Sequence, residues 1–231
     1  MKKISLYKLA NSLFRIPRSL AGEGNRNTLK ILSKFTNDKI KIRGFKSGKK
    51  FNGWKIPKEW KVLNATVKDP TGKKIIDFER NNLELVSYSQ SFKGKLNLKQ
   101  FKEKIFTIKK LPRAVPYITA YYKENFWSVC MSFNQFKKLK KGNYEVDIKT
   151  KKTNGFLNYG EHLVKGKSKK EIIFMSYICH PQMANNELSG PVVLAGLINN
   201  LSKKFKKTNF SYRFIFLPET IGSIAYLNHH H

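Results

Sequence analysis

The stretch IIFMSYICHPQMANNELSG, residues 172–190, decides the fold. Residues 171–179 form an apolar run without the alternation of a half-buried strand, which predicts a strand covered by helices on both sides. His180 ends the run, and a short polar loop with Asn185, Asn186 and Glu187 follows. Ser189 is a suitable N-cap and Pro191 tolerates the first helical turn, so we predict a helix over about 190–204.

The same pattern occurs once more, thirty to forty residues further along the chain. Residues 212–217 are apolar, Pro218, Glu219 and Thr220 follow, and a helix is predicted from residue 221. A strand–helix–strand order of this kind is the right-handed crossover of a parallel α/β sheet. Because ligands of such sheets bind at the carboxyl ends of the strands, we expect His180 and Glu219 to face each other.

The remaining chain predicts a second, β-rich part. Apolar stripes predict helices over 4–15 and 26–36, whereas 39–112 alternates in short strands with a turn at 69–72. The prolines at 112 and 116 mark a boundary. We therefore predict N-terminal helices at 1–38, an inserted β-rich domain at 39–112 and an α/β core at 113–231. We also predict a hairpin turn at 153–155, because its Asn-Gly pair favours tight turns.

The amino-acid composition limits the classes of partner that we expect for this chain. The formal net charge is +31, from 46 Lys and Arg against 15 Asp and Glu, but the lysines are spread over the whole chain. The sequence carries no RNA-recognition signature, zinc finger or arginine-rich recognition helix, so we expect no specific nucleic-acid partner. Two cysteines in apolar surroundings favour a reducing cytoplasm. No apolar run approaches the roughly 20 residues that a membrane span needs.

The polar residues at the two strand ends suggest a metal site. Imidazole and carboxylate groups are the usual ligands of catalytic zinc, and a free carboxylate can act as the general base for the metal-bound water. His180, Glu187 and Glu219 offer this combination. On these residues alone, a hydrogen-bonded structural histidine is the competing interpretation.

Several short sequence motifs resemble those of bacterial aminopeptidase-like proteins that are related to the co-catalytic zinc aminopeptidases. In chain order these motifs are Gly22–Leu29, Trp54–Trp60, Ile76–Phe78, Pro116–Tyr122, Tyr159–Glu161, Cys179–Pro181, Asn185–Gly190 and Pro218–Ser223. The resemblance implies an αβα sandwich of the zinc-peptidase type, with a β-rich domain inserted after the first helices. Because the chain ends just inside a helix, we expect the C-terminal part of that sheet to lie in a longer protein.

The resemblance also implies roles for individual residues. His180 matches the first metal-binding histidine, and Glu219 matches the carboxylate that acts as general base. Asn186 occupies the place of the bridging aspartate, Glu187 is its neighbour, and Thr220 replaces a second glutamate ligand. We therefore expect one zinc ion held by His180, Glu187 and Asn186, with the second metal site impaired.

Two functions are compatible with these residues. The first is a zinc-dependent hydrolase of a peptide or peptide-like amide bond, with Glu219 as the catalytic base and a peptide or small molecule as substrate. The alternative is a non-catalytic pseudopeptidase that uses the same cleft for binding.

Overall fold

The structure is a computed structural model that describes residues 5–204 and 208–230, with 202–204 as backbone only. The chain divides into two compact units. One unit comprises Met1–Glu59 and Asn154–His231, and the other comprises Trp60–Thr153. The predicted insertion, 39–112, therefore differs from the observed second unit at both ends.

The secondary structure follows the chain in this order. The described elements are α1 (Leu6–Phe14), α2 (Glu23–Phe35), β1 (Lys41–Lys46), β2 (Lys50–Phe51), β3 (Trp54–Lys55), β4 (Glu59–Lys68), β5 (Lys74–Asp77), a 3-10 turn (Asn82–Glu84), β6 (Phe92–Asn97), α3 (Leu98–Lys102), β7 (Ile105–Phe106), β8 (Val129–Cys130), α4 (Phe133–Lys137), β9 (Asn143–Thr153), β10 (Phe156–Val164), β11 (Glu171–Tyr177), a π-helical turn (Ala184–Leu188), α5 (Ser189–Lys204), β12 (Ser211–Leu217) and α6 (Ile221–His230).

The main sheet of the first unit has the strand order β1-β10-β12-β11. β11 and β12 run parallel, in register from Glu171 opposite Ser211 to Tyr177 opposite Leu217. This confirms the predicted strand–helix–strand unit, while β1 and β10 complete the sheet in antiparallel fashion. The parallel pair brings its two carboxyl ends to one edge of the sheet, where His180 and Glu219 follow.

Helices lie on both faces of this sheet. On one face, α1, α2 and α5 enclose an apolar core, in which each large side chain contributes about 1.5–3 kcal/mol by leaving water. On the other face, Tyr226 of α6 packs edge-on against Tyr159, with 5.4 Å between ring centroids. The core side chains include Leu9, Leu13, Leu29, Leu32, Ile178, Leu194, Ala195, Ile198, Phe214 and Phe216.

The two N-terminal helices were predicted correctly within three residues at each described end. The predicted first residue of α1, at position 4, lies outside the described residues. Their apolar stripes supply Leu13 and Leu29, both fully buried in the core.

The prediction that β11 is covered on both faces is wrong for the described residues. β11 is an edge strand of this sheet, and most of its side chains are exposed. Ile173 is 53% exposed and Met175 is 46% exposed. An apolar run identifies a strand but does not reveal how many neighbours cover it.

The second unit contains a four-stranded sheet with the order β5-β4-β9-β6, in which β4 pairs antiparallel with β5 and β6 pairs antiparallel with β9. As predicted, a turn at 69–72 joins β4 to β5, and Gly72 adopts φ +84° there. Phe101 and Tyr144 are fully buried and stack with 4.6 Å between ring centroids.

The predicted hairpin at 153–155 is wrong. β9 ends at Thr153 in the sheet of the second unit, whereas β10 begins at Phe156 in the main sheet. The Asn-Gly pair therefore lies where the chain passes between the units. Over the residues that the structure describes, we find no helix with the length and apolar character to cross a bilayer.

Candidate metal centre

The candidate centre lies where β11 and β12 end. His180 follows β11, Glu219 follows β12, and Glu187 lies on the π-helical turn that leads into α5. π-Helical turns are rare and are found frequently at functional sites. Thr220, directly after Glu219, adopts φ +57°, which is unusual for a β-branched residue.

The imidazole of His180 lies between two carboxylates. Its Nδ1 atom is 2.6 Å from Oε1 of Glu187, and its Nε2 atom is 3.4 Å from Oε2 of Glu219. The Oδ1 atom of Asn186 lies 3.2 Å from the same Nδ1 atom. The structure therefore brings together all four residues that the sequence predicted for this site.

The carboxylate of Glu187 is fully enclosed. Its Oε2 atom accepts hydrogen bonds from the main-chain N–H groups of Cys179 (2.7 Å) and His180 (3.0 Å). Its side chain has no exposed surface, whereas that of Glu219 is 44% exposed. The buried carboxylate of Glu187 thus anchors the main chain of the loop, and the carboxylate of Glu219 faces solvent beside the imidazole.

The ionisation of this pair follows from its contacts. Burial alone would raise the pKa of Glu187, but the hydrogen bonds from His180 and from the main chain outweigh burial and lower it. Burial alone would lower the pKa of His180, but the Glu187 carboxylate outweighs burial and raises it. Both shifts favour the charged form of the residue, the imidazolium of His180 and the carboxylate of Glu187.

Cys179 joins this group, which sequence analysis did not anticipate. Its Sγ atom lies 3.4 Å from Oε1 of Glu187 and accepts a hydrogen bond from the main-chain N–H of Glu219 (3.2 Å). Burial, followed by the charge of Glu187, raises the pKa of the thiol well above its usual value. The position of Cys179 directly before the predicted metal-binding histidine was the available signal.

Four side chains offer a donor set of the kind that binds metal ions. Ligand atoms of Cys179, His180, Glu187 and Glu219 all lie within 4.8 Å of one another. Nitrogen, oxygen and sulfur donors of these types are the ligands that zinc binds in proteins. A histidine that binds a metal through one ring nitrogen usually donates its other N–H to a carboxylate or carbonyl. Here Glu187 lies at Nδ1, and Nε2 lies beside Glu219.

Structural comparison assigns the fold class. The zinc aminopeptidase BSAP from Bacillus subtilis matches with a TM-score of 0.59 at 12% identity, over 97% of this chain and 63% of the aminopeptidase. A peptidase M28 precursor from Shewanella amazonensis matches with a TM-score of 0.61 at 10% identity, over 97% of this chain and 67% of that one. The chain therefore has an aminopeptidase-like α/β fold.

The family is equally clear. Residues 7–231 match the family described as a domain of unknown function, DUF4910, and the chain belongs to this family. A Clostridium acetobutylicum protein, named for polysaccharide biosynthesis and an aminopeptidase-like domain, is 41% identical over 223 residues, which are 96% of this chain.

A crystal structure from the same species, named as a candidate peptidase, matches with a TM-score of 0.91 at 41% identity and covers 97% of this chain. The chain spans about half the length of these two relatives, 50% of the first and 52% of the second.

Proposed function

We propose that the chain forms the metal-binding edge of a zinc-dependent hydrolase that cleaves a peptide or peptide-like amide bond. The observation that carries the proposal is the 3.4 Å approach of His180 Nε2 to Glu219 Oε2 at the ends of two parallel strands. Support comes from the aminopeptidase-like fold and from its zinc-dependent structural neighbour.

The residues would have two kinds of role, metal binding and proton transfer. His180 would bind zinc through Nε2, whereas Glu187, which was predicted as a zinc ligand, would instead hold the ring through Nδ1. A zinc ion in such a site lowers the pKa of bound water and polarises the substrate carbonyl. Glu219, which is partly exposed, would accept a proton from the water and pass it to the leaving amine.

Zinc binding gives the first test. The chain, purified without a metal-affinity tag, is expected to bind about one zinc ion per molecule in titration calorimetry, and His180→Ala is expected to abolish binding. Glu145→Gln is the matched control, because Glu145 is an exposed carboxylate on β9 in the other unit. Zinc binding that survives His180→Ala would reject this site.

Activity is tested with the chain in a protein of the relatives' full length, which is about twice that of this chain. With a panel of aminoacyl nitroanilides, Glu219→Gln is expected to lower kcat at least a hundredfold while zinc remains bound. Unchanged turnover in Glu219→Gln would exclude Glu219 as the base.

One observation favours a second candidate, a binding protein without catalysis. The amide of Asn186, which cannot serve as a bridging carboxylate, lies beside His180, and Glu187 is already engaged by main-chain N–H groups. Such a protein would bind a peptide at the cleft without turnover, and its affinity would be unaffected by Glu219→Gln.

A further inference from the structure

Arg18 is a buried cation directly behind His180. It lies in the segment between α1 and α2 and is only 2% exposed. Its Nε and Nη2 atoms donate hydrogen bonds to the carbonyl of His180, at 3.0 and 2.8 Å, and its Nη1 atom donates to the carbonyl of Leu13 at 2.6 Å. One guanidinium therefore connects the end of α1 to the histidine of the candidate centre.

The two-pronged contact restricts the His180 main chain. A planar guanidinium presents its donors in a fixed fork, which a lysine ammonium cannot reproduce. The N–H group and Nδ1 atom of His180 are held by Glu187, and its carbonyl is held by Arg18. His180 is thus fixed on three sides, and Nε2 is the ring atom directed to Glu219.

The chain segment that carries Arg18 is itself tightly packed. A Cβ atom at Gly24 would lie 2.3 Å from the carbonyl oxygen of Pro17, so α2 packs directly against this segment. The main-chain N–H of Ser19 donates to Oδ1 of the fully buried Asn25, at 3.1 Å. Because this segment is tightly packed, the guanidinium of Arg18 can hold its acceptor, the carbonyl of His180, in a fixed position.

We infer that Arg18 is a positioning residue, which sets the main chain of His180 so that Nε2 faces the metal site. The inference rests on the proposed function for its consequence, zinc affinity. Its structural content, an ordered His180 main chain, is measurable without zinc.

The direction of the change in zinc affinity distinguishes a positioning role of Arg18 from an effect of its charge. A positive charge behind the site repels a metal cation, so removal of the charge alone would strengthen zinc binding. Loss of a residue that orients a ligand from behind typically weakens metal affinity 10- to 100-fold. We therefore expect Arg18→Met to weaken zinc binding at least about tenfold, and Arg18→Lys to weaken it as well although the charge is kept.

The experiment combines zinc competition titration with amide hydrogen exchange of the metal-free protein. Arg18→Met is expected to accelerate exchange at the amides of Cys179 and His180 but not at Leu157 and Tyr159 of β10. Arg113→Met is the matched control, because Arg113 is an exposed arginine in the other unit, and it should behave as wild type.

Three results would overturn the inference. They are unchanged or tighter zinc binding by a folded Arg18→Met protein, uniform acceleration of exchange across the main sheet, and an Arg18→Lys protein equal to wild type in both measurements. If Arg18→Met fails to fold, Arg18→Lys decides. If the wild-type chain binds no zinc, the proposed function fails, and selective exchange at Cys179 and His180 still decides the positioning role.

Discussion

The Nε2 atom of His180 lies 3.4 Å from Oε2 of Glu219, although the two residues follow different strands of the main sheet. The parallel register of β11 and β12 produces this approach, because both strands end at the same edge. Glu187 fixes the opposite side of the ring at 2.6 Å. An imidazole held on one nitrogen and presented on the other is the arrangement that zinc-binding histidines use.

Glu187→Gln is expected to destabilise the chain by about 1–3 kcal/mol, because a buried group would lose its charge-assisted hydrogen bonds. The side-chain amide would also set an N–H group against the donors of Cys179 or His180. Urea denaturation measures the free energy of unfolding. Glu219→Gln is the control and should change it little, since Glu219 is 44% exposed. Equal stability of both variants would show that Glu187 does not brace the loop.

Thr220→Asn is expected to stabilise the chain by about 1 kcal/mol, because asparagine tolerates the left-handed region better than a β-branched residue. The reason is the φ of +57° at Thr220, just before α6. Thermal unfolding measures the gain. Thr220→Val keeps the β-branch and therefore should show none. A lower melting temperature for Thr220→Asn would mean that the threonine side chain contributes more than its backbone strain costs.

Glu59 should make stability depend on acidic pH. Burial alone would raise its pKa, but hydrogen bonds from Arg26 and from the main-chain N–H of Phe156 outweigh burial and lower it. A lowered folded-state pKa stabilises the protein above the unfolded pKa of about 4.3, and this contribution is lost as pH falls through the folded value. Glu59→Gln should therefore flatten the stability profile below about pH 4.5.

Stability profiles of the wild type and Glu59→Gln between about pH 3 and 7, a range that includes the ordinary carboxylate pKa of about 4, measure this difference. Glu145→Gln, at an exposed carboxylate, serves as the control. Parallel profiles for wild type and Glu59→Gln would exclude a contribution from the pair of Glu59 and Arg26.

Local sequence patterns were sufficient for the elements next to the site. The apolar runs before His180 and Glu219 identified two strands, and strand–helix–strand order implied their parallel pairing. Because carboxyl ends of parallel strands share one edge, the approach of His180 to Glu219 could be predicted without coordinates.

The pairing of strands that lie far apart in the chain could not be predicted from local sequence patterns. The alternation of β1 indicated a strand, but its antiparallel partner is β10, more than a hundred residues later. β1 was therefore assigned to the insertion, although it belongs to the main sheet. The role of Arg18 depends on a contact with His180 across 162 residues, and no local pattern marks such a contact.

Both thiols should be inert in the native chain. Burial raises the pKa of Cys130 to about 12, and burial together with the charge of Glu187 raises that of Cys179. Only the thiolate reacts, so a disulfide reagent near neutral pH should modify neither residue before unfolding and both in denaturant. Cys130→Ser leaves Cys179 as the remaining thiol. Rapid native reaction of that variant would show that the loop carrying His180 opens, because Cys179 is fully buried in the closed structure.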